Sequence, residues 1–197
     1  FAGIGWDAEI LNDYAALRDT VHDTALEPYA TGIGGYVAST FTRTIPNALR
    51  NEPVDVTVTN TGERAMRIGP DGGVLEEYGQ DDVLFRGEVR VVGTASIPYW
   101  GFKIRMFSHA VEHPGFVQIR CFHGSVGWIV THLPRFWKGE FREKDIDDFL
   151  YESIRLEVEG RPMPYQVAGD GAGYERRLDW HVAEHPAQLA VPWVDEQ

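Results

Sequence analysis

The 197-residue chain predicts a mainly β fold of the α+β kind: a sandwich-like sheet body with two leading helices and one inserted helix. Three observations predict it. Val54, Val56 and Val58 alternate with Asp55, Thr57 and Thr59, the period-2 pattern of a strand with one wet face. Comparable short runs recur between turn signals through most of the chain, as a sandwich or a strongly bent antiparallel sheet requires. Helix-period patterns concentrate near the start and appear once more in the middle. One domain, residues 1–197, accommodates all of it.

Phe1 to Gly5 reads as the end of a strand. Ala8 to Thr20 follows with Ile10, Leu11, Tyr14 and Leu17 at helical spacing, and Asp7 is placed to cap it through its side-chain oxygen. A loop with Pro28 leads to a second helical pattern, Ile33 to Ile45, which Pro46 stops. Its Gly32, Gly34 and Gly35 have no strand before them, so close helix packing explains them better than a phosphate cradle. After the strand at Val54, Asn60-Thr61-Gly62 predicts a hairpin turn with Arg64 to Ile68 as the returning partner. Pro70-Asp71-Gly72-Gly73 is another turn. Strands are predicted at Val83–Phe85, Glu88–Ala95, Phe102–Met106 and Phe116–Phe122. Val126 to Trp137 reads as a helix bent by Pro134, and strands return at Ser153–Val158, Tyr165–Val167, Leu178–Val182 and Gln188–Val191. No internal repeat or low-complexity segment is visible.

The bulk composition narrows the function classes. Net charge is −12, which disfavours nonspecific nucleic-acid binding. Residues 86–144 run against that trend with nine Lys/Arg and four Asp/Glu, whereas the remainder holds nine and 26. The basic middle segment either faces an anionic surface such as phosphate or lipid headgroups, or scatters over several faces on folding. No apolar run of about 18 residues is present to cross a membrane as a helix. The lone Cys121 has no internal disulfide partner and sits in an apolar strand run. It reads as a core thiol in a reducing, cytoplasmic setting. The start at Phe1, inside an apolar segment, fits a piece of a longer protein.

Familiar catalytic spacings are missing. His109 and His113 are four apart, but Pro114 and Gly115 break any helix there, and His181 and His185 straddle a strand end before Pro186. Neither pair has zinc-type spacing. Gly124-Ser125-Val126-Gly127 is not a nucleophile elbow. Two stretches remain. Ile97 to Phe107 is aromatic-rich with Lys103 and Arg105, either a groove with a cation at its mouth or core aromatics with snorkelling bases. Pro164 to Gly173 sets one carboxylate, Asp170, among small residues. A strand rather than a helix follows it, so this is not a stand-alone phosphate cradle. It is an acid-bearing turn that could contribute to a site whose phosphate loop lies elsewhere.

Phe1-Ala2-Gly3-Ile4-Gly5-Trp6-Asp7-Ala8, Gly93 to Phe107, and Pro164-Tyr165-Gln166-Val167-Ala168-Gly169-Asp170 together resemble the second domain of the diacylglycerol kinase/sphingosine kinase family, in a bacterial branch. The resemblance spans the whole chain. It implies a β-rich, C-terminal lipid-binding domain of a NAD kinase/diacylglycerol kinase-like fold. The ATP-binding domain, with its Gly-Gly-Asp-Gly-Thr loop, would lie outside this sequence. It implies ATP and Mg²⁺ as cofactors, transfer of the γ-phosphate to the hydroxyl of diacylglycerol or a sphingoid-type lipid, and transient contact with the inner membrane face. Asp7 matches the acid that touches the lipid head. Asp170 matches the first acid of the late Asp-Gly-Glu motif, expected at nucleotide and metal. Arg18 matches a phosphate-facing arginine, and Arg105 stands at the lipid groove. The motif's glutamate is replaced by Gly171 or Ala172. On this reading the chain alone folds but phosphorylates nothing. The alternatives are a non-catalytic lipid-binding or regulatory protein and a kinase with a nonlipid acceptor. Sheet edges can pair between chains, which leaves a homodimer open.

Overall fold

A computed structural model describes residues 1–21, 53–100, 104–125, 127–128, 135 and 145–184. Its elements are β1 (Ala2–Gly5), α1 (Trp6–Val21), β2 (Val54–Asn60), β3 (Ala65–Ile68), β4 (Val74–Tyr78), β5 (Val83–Val89), β6 (Val91–Ala95), β7 (Val117–Phe122), β8 (Ile146–Tyr151), β9 (Ser153–Val158), β10 (Met163–Val167), β11 (Asp170–Glu175) and β12 (Arg177–His181). They form two antiparallel sheets. The larger runs β11-β10-β1-β6-β7-β8-β3-β4, the smaller β12-β9-β2-β5. The mainly β expectation holds. The helix expected at Ile33–Ile45 and the strand at Gln188–Val191 lie outside the described residues, as does most of Val126–Trp137.

Alternation decides which face of each strand meets the core. Val54, Val56, Val58, Ile154, Leu156 and Leu178 of the smaller sheet pack against Ile4, Val92, Ile119, Cys121, Phe149 and Tyr151 of the larger. Each fully buried aliphatic or aromatic side chain of this kind contributes about 1.5–3 kcal/mol by leaving water. Cys121 is a core thiol as expected, and burial pushes its pKa up. The one polar pair within this layer is satisfied: the Thr94 and Tyr151 hydroxyls share a hydrogen bond at 2.6 Å.

The predicted β2–β3 hairpin is not formed. β2 pairs with β5 and β9, and β3 crosses into the other sheet to pair with β4 and β8. The turn chemistry at 60–62 is spent on other partners. Asn60, wholly buried, donates its Nδ2–H to the Gly79 carbonyl and accepts the Gly62 N–H on Oδ1. The Thr61 and Gly62 amides both donate to the Ser153 carbonyl. Ser153 itself follows a second crossing, where only Glu152 separates β8 in one sheet from β9 in the other. Arg90 marks a third, splitting the expected Glu88–Ala95 strand into β5 and β6. Two of these corners, at Glu152 and Arg90, are single residues.

Two further expectations are corrected. Of the strand expected at Phe102–Met106, residues 102 and 103 lie outside the described set, and 104–106 join neither sheet: Ile104 forms an isolated bridge with Trp100, and Phe107 donates its N–H back to the Pro98 carbonyl. Residues 170–175, read as the end of a glycine-rich loop, form the edge strand β11. Ala168 and Gly169, at φ 53° and 94°, make the two-residue turn that favours a hairpin.

The register of the larger sheet aligns one row of residues across six strands: Gly171, Gln166, Gly3, Gly93, Arg120 and Asp148. Their neighbours Ile4, Val92 and Cys121 face the inter-sheet core, so by alternation this row faces outward. Its three glycines form a trough into which other elements settle. A Cβ at Gly171 would overlap Asn12 Oδ1 of α1, and one at Gly93 would meet the Phe107 ring at 2.9 Å.

Candidate functional site

The trough floors a pocket partly open to solvent, with Trp6, Asp7, Gly93, Arg120 and Phe122 among its lining. Trp100, Ile104, Met106 and Phe107 supply another part of its wall. Of the aromatic segment, it is these four residues that face the groove, while Ile97 and Tyr99 are exposed. Its mostly apolar lining fits a small-molecule or lipid-chain site with few polar groups.

Asp7 is only 3 % exposed. β1 runs directly into α1 because Gly5 takes φ 121°, a conformation that a side chain resists, and a Cβ there would overlap the Arg90 carbonyl oxygen. The Trp6 N–H then donates to that same carbonyl at 3.3 Å. The helix consequently begins at Trp6, and Asp7 is its second residue rather than the cap before it. Its carboxylate still accepts backbone N–H bonds from Ala8 and Asp7 and one from the Gln166 amide. Burial outweighs them and pushes its pKa up to about 7. Oδ1 remains buried without a hydrogen-bond partner.

Arg120, 4 % exposed, forms a two-pronged pair with Asp148, Nε to Oδ1 and an Nη to Oδ2, both 2.8 Å. Gln118 Nε2–H donates to the same Oδ1 at 2.8 Å, and the His109 N–H donates to Gln118 Oε1. A charged network thus lies directly under the apolar pocket.

The sequence-predicted site residues are distributed unevenly. Asp7 lies in the pocket wall. Asp170 is exposed at the start of β11, and Gln166 links the two: its Oε1 accepts the Gly169 N–H of the hairpin turn at 3.1 Å, and its amide donates to Asp7. Arg105 is exposed between Ile104 and Met106, both of which line the pocket, while its own side chain does not. Arg18 belongs to α1, and its side chain lies outside the described residues. Gly171 has no room for a side chain beside Asn12. Trp6, Gln166, Gly93 and Arg120 were missed as site residues. Gln166 lies inside the quoted Asp170 motif, but its burial is not legible there, and the Arg120–Asp148 partnership, 28 residues apart, leaves no local signal.

Among the described residues no group of three or more His, Cys, Asp or Glu converges on a metal position, and Asp170 offers a single exposed carboxylate. No described helix is long and apolar enough to cross a membrane.

No family model matches the chain, and no curated protein matches it. Among solved structures it is similar to a protein of Bacillus anthracis str. Sterne provisionally assigned as a diacylglycerol kinase. Identity is 18% and the TM-score 0.42 over 91% of this chain and 49% of that one. It is also similar to a diacylglycerol kinase from the same organism, at 17% identity and a TM-score of 0.37, over 89% and 46%. The chain spans about half the length of these structures.

Proposed function

We propose that this chain is the acceptor-binding half of an ATP-dependent lipid kinase that phosphorylates the hydroxyl of diacylglycerol or a sphingoid-type lipid. The observation that carries the reading is Asp7: a carboxylate in an apolar pocket, with one oxygen lacking a partner. A lipid chain would fill the pocket while its hydroxyl donates to Asp7. The nucleotide and Mg²⁺ are assigned to a second half that supplies charge neutralisation to the transferred phosphoryl group. This chain holds and orients the acceptor and excludes water from it. Asp170, one residue past the Gly169 amide that Gln166 holds, stands at the sheet margin from which it can meet that half.

The test is ATP-dependent phosphorylation of diacylglycerol or a long-chain base by the whole protein that contains this sequence. Asp7→Ala is expected to lower the rate about 100-fold, the scale of losing acceptor alignment, and Asp170→Asn to lower it measurably. Full activity in Asp7→Ala would sink the pocket assignment. Retained lipid binding with no phosphorylation by the intact protein would favour the second reading, a non-catalytic lipid carrier. Gly171 or Ala172 in place of the motif's glutamate supports that alternative.

The same reading places the Ile97–Val111 segment against a membrane. Ile97 is 46% and Tyr99 52% exposed beside the exposed Arg105, on the segment that also walls the pocket. Apolar side chains and a cation together suit an anionic lipid surface. Ile97→Asp with Tyr99→Asp is expected to release the chain from phosphatidylglycerol vesicles in a flotation assay. Undiminished flotation would remove this surface from the model of action.

A further inference from the structure

Three buried side-chain atoms among the described residues have no hydrogen-bond partner: Asp7 Oδ1, Trp6 Nε1 and Trp180 Nε1. Trp180 packs against the inter-sheet core. The other two belong to adjacent residues that line the same pocket. Buried polar groups in folded proteins are normally paired, and each that is not asks for an explanation. An indole N–H can only donate, and the Asp7 carboxylate, once ionised above its raised pKa of about 7, can only accept. A partner that satisfies both must carry an acceptor and a donor.

We propose that Trp6 and Asp7 recognise the ligand's head together: an oxygen of the head accepts the Trp6 Nε1–H while a hydroxyl donates to Asp7 Oδ1. Trp6 is then a specificity-determining residue that favours an alcohol head over an amine. The proposal rests on the reading of this pocket as a lipid-acceptor site. An alkylammonium has three donors and no lone pair, so it serves Asp7 but sets another donor against the indole N–H. Arg120 on the same pocket wall adds a like charge, and Asp148 only partly offsets it for a cation in the pocket. A hydroxyl meets neither obstacle. Its hydrogen bond to Asp7 favours the ionised carboxylate, as the charge of an ammonium also does.

The experiment uses the chain as it stands, titrated with 1-monooleoylglycerol and with oleylamine by displacement of a fluorescent fatty-acid probe. Wild type is expected to hold monooleoylglycerol about tenfold more tightly than oleylamine, the scale of one satisfied hydrogen bond in a dry site. Trp6→Phe keeps a packed ring and removes the donor. It should weaken monooleoylglycerol about tenfold and oleylamine less than about twofold. The Trp6 indole ¹⁵N–¹H resonance should move downfield with monooleoylglycerol and not with oleylamine, a readout that needs no variant. Equal binding of the two ligands with a stationary indole resonance overturns the proposal and leaves the pocket reading standing. Failure of the wild-type chain to bind either ligand overturns both.

Discussion

Asp7→Asn is expected to make the folded chain more stable than wild type above pH 7, and to make little difference near pH 4. The carboxyl rises from 3.8 in the unfolded chain to about 7 in the folded one, so the folded state prefers it protonated. A raised pKa contributes stability that is complete below the unfolded value and is lost as pH climbs through the folded value. Wild type therefore sheds stability between about pH 4 and pH 7. A rise of about three units corresponds to about 4 kcal/mol. Asparagine occupies nearly the same volume and never ionises, so it escapes this loss. It should be more stable by up to about that amount at pH 8. Urea unfolding of both proteins from pH 4 to pH 8 measures the difference directly, and other titrating groups cancel in the comparison. Parallel curves for the two proteins would show that Asp7 is not held in its protonated form by burial. Divergent curves mean that the native residue costs stability at neutral pH. That pattern marks a group retained for binding or chemistry rather than for the fold.

What could be read in advance depended on how far apart in the chain the deciding partners lie. The alternation at Val54–Val58 and the helical spacing of Ile10, Leu11, Tyr14 and Leu17 are local, and both elements appear where local physics places them. The turn at Asn60-Thr61-Gly62 is equally plain as a change of direction. Whether the chain reverses in its own sheet or crosses to the other depends on Ser153 and Gly79, which turn chemistry does not reveal. β8 escaped notice because Asp147 and Asp148 interrupt an apolar run. They are tolerated there since Arg67 and His123 take Asp147, and Arg120 and Gln118 take Asp148. β4 escaped because Val74-Leu75-Glu76-Glu77-Tyr78 is an exposed edge strand with no buried face to impose alternation. The site divides the same way. Asp7 and Asp170 stand in recognisable short motifs, whereas Gly93, Arg120 and Gln166 acquire meaning only once the register sets them in one row.

Asp148→Ala is the substitution expected to damage the fold most. It leaves the Arg120 guanidinium, 4 % exposed, without the carboxylate that holds it at two points, and deprives the Gln118 amide of its acceptor. Breaking a buried pair by removing one member costs about 3–5 kcal/mol, because the charge left behind remains desolvated. For a chain of this size each kcal/mol lowers the melting temperature by about 2–4 °C, so a fall of about 6–20 °C is expected. A loss below about 1 kcal/mol would show that water or neighbouring groups take over the arginine. The companion variant Arg120→Met with Asp148→Leu removes both charges and keeps the volume. Paired replacements of this kind are often neutral or stabilising, so the double variant should regain most of what the single one loses. Ligand binding then separates two roles for the pair. Arg120 lines the pocket that Asp7 also lines, and Asp148 neutralises it from beneath the apolar wall. If the double variant regains stability yet binds 1-monooleoylglycerol as wild type does, the pair serves the sheet alone. If stability returns and affinity does not, the pair shapes the electrostatics around Asp7, and the charged row beneath the pocket belongs to the site.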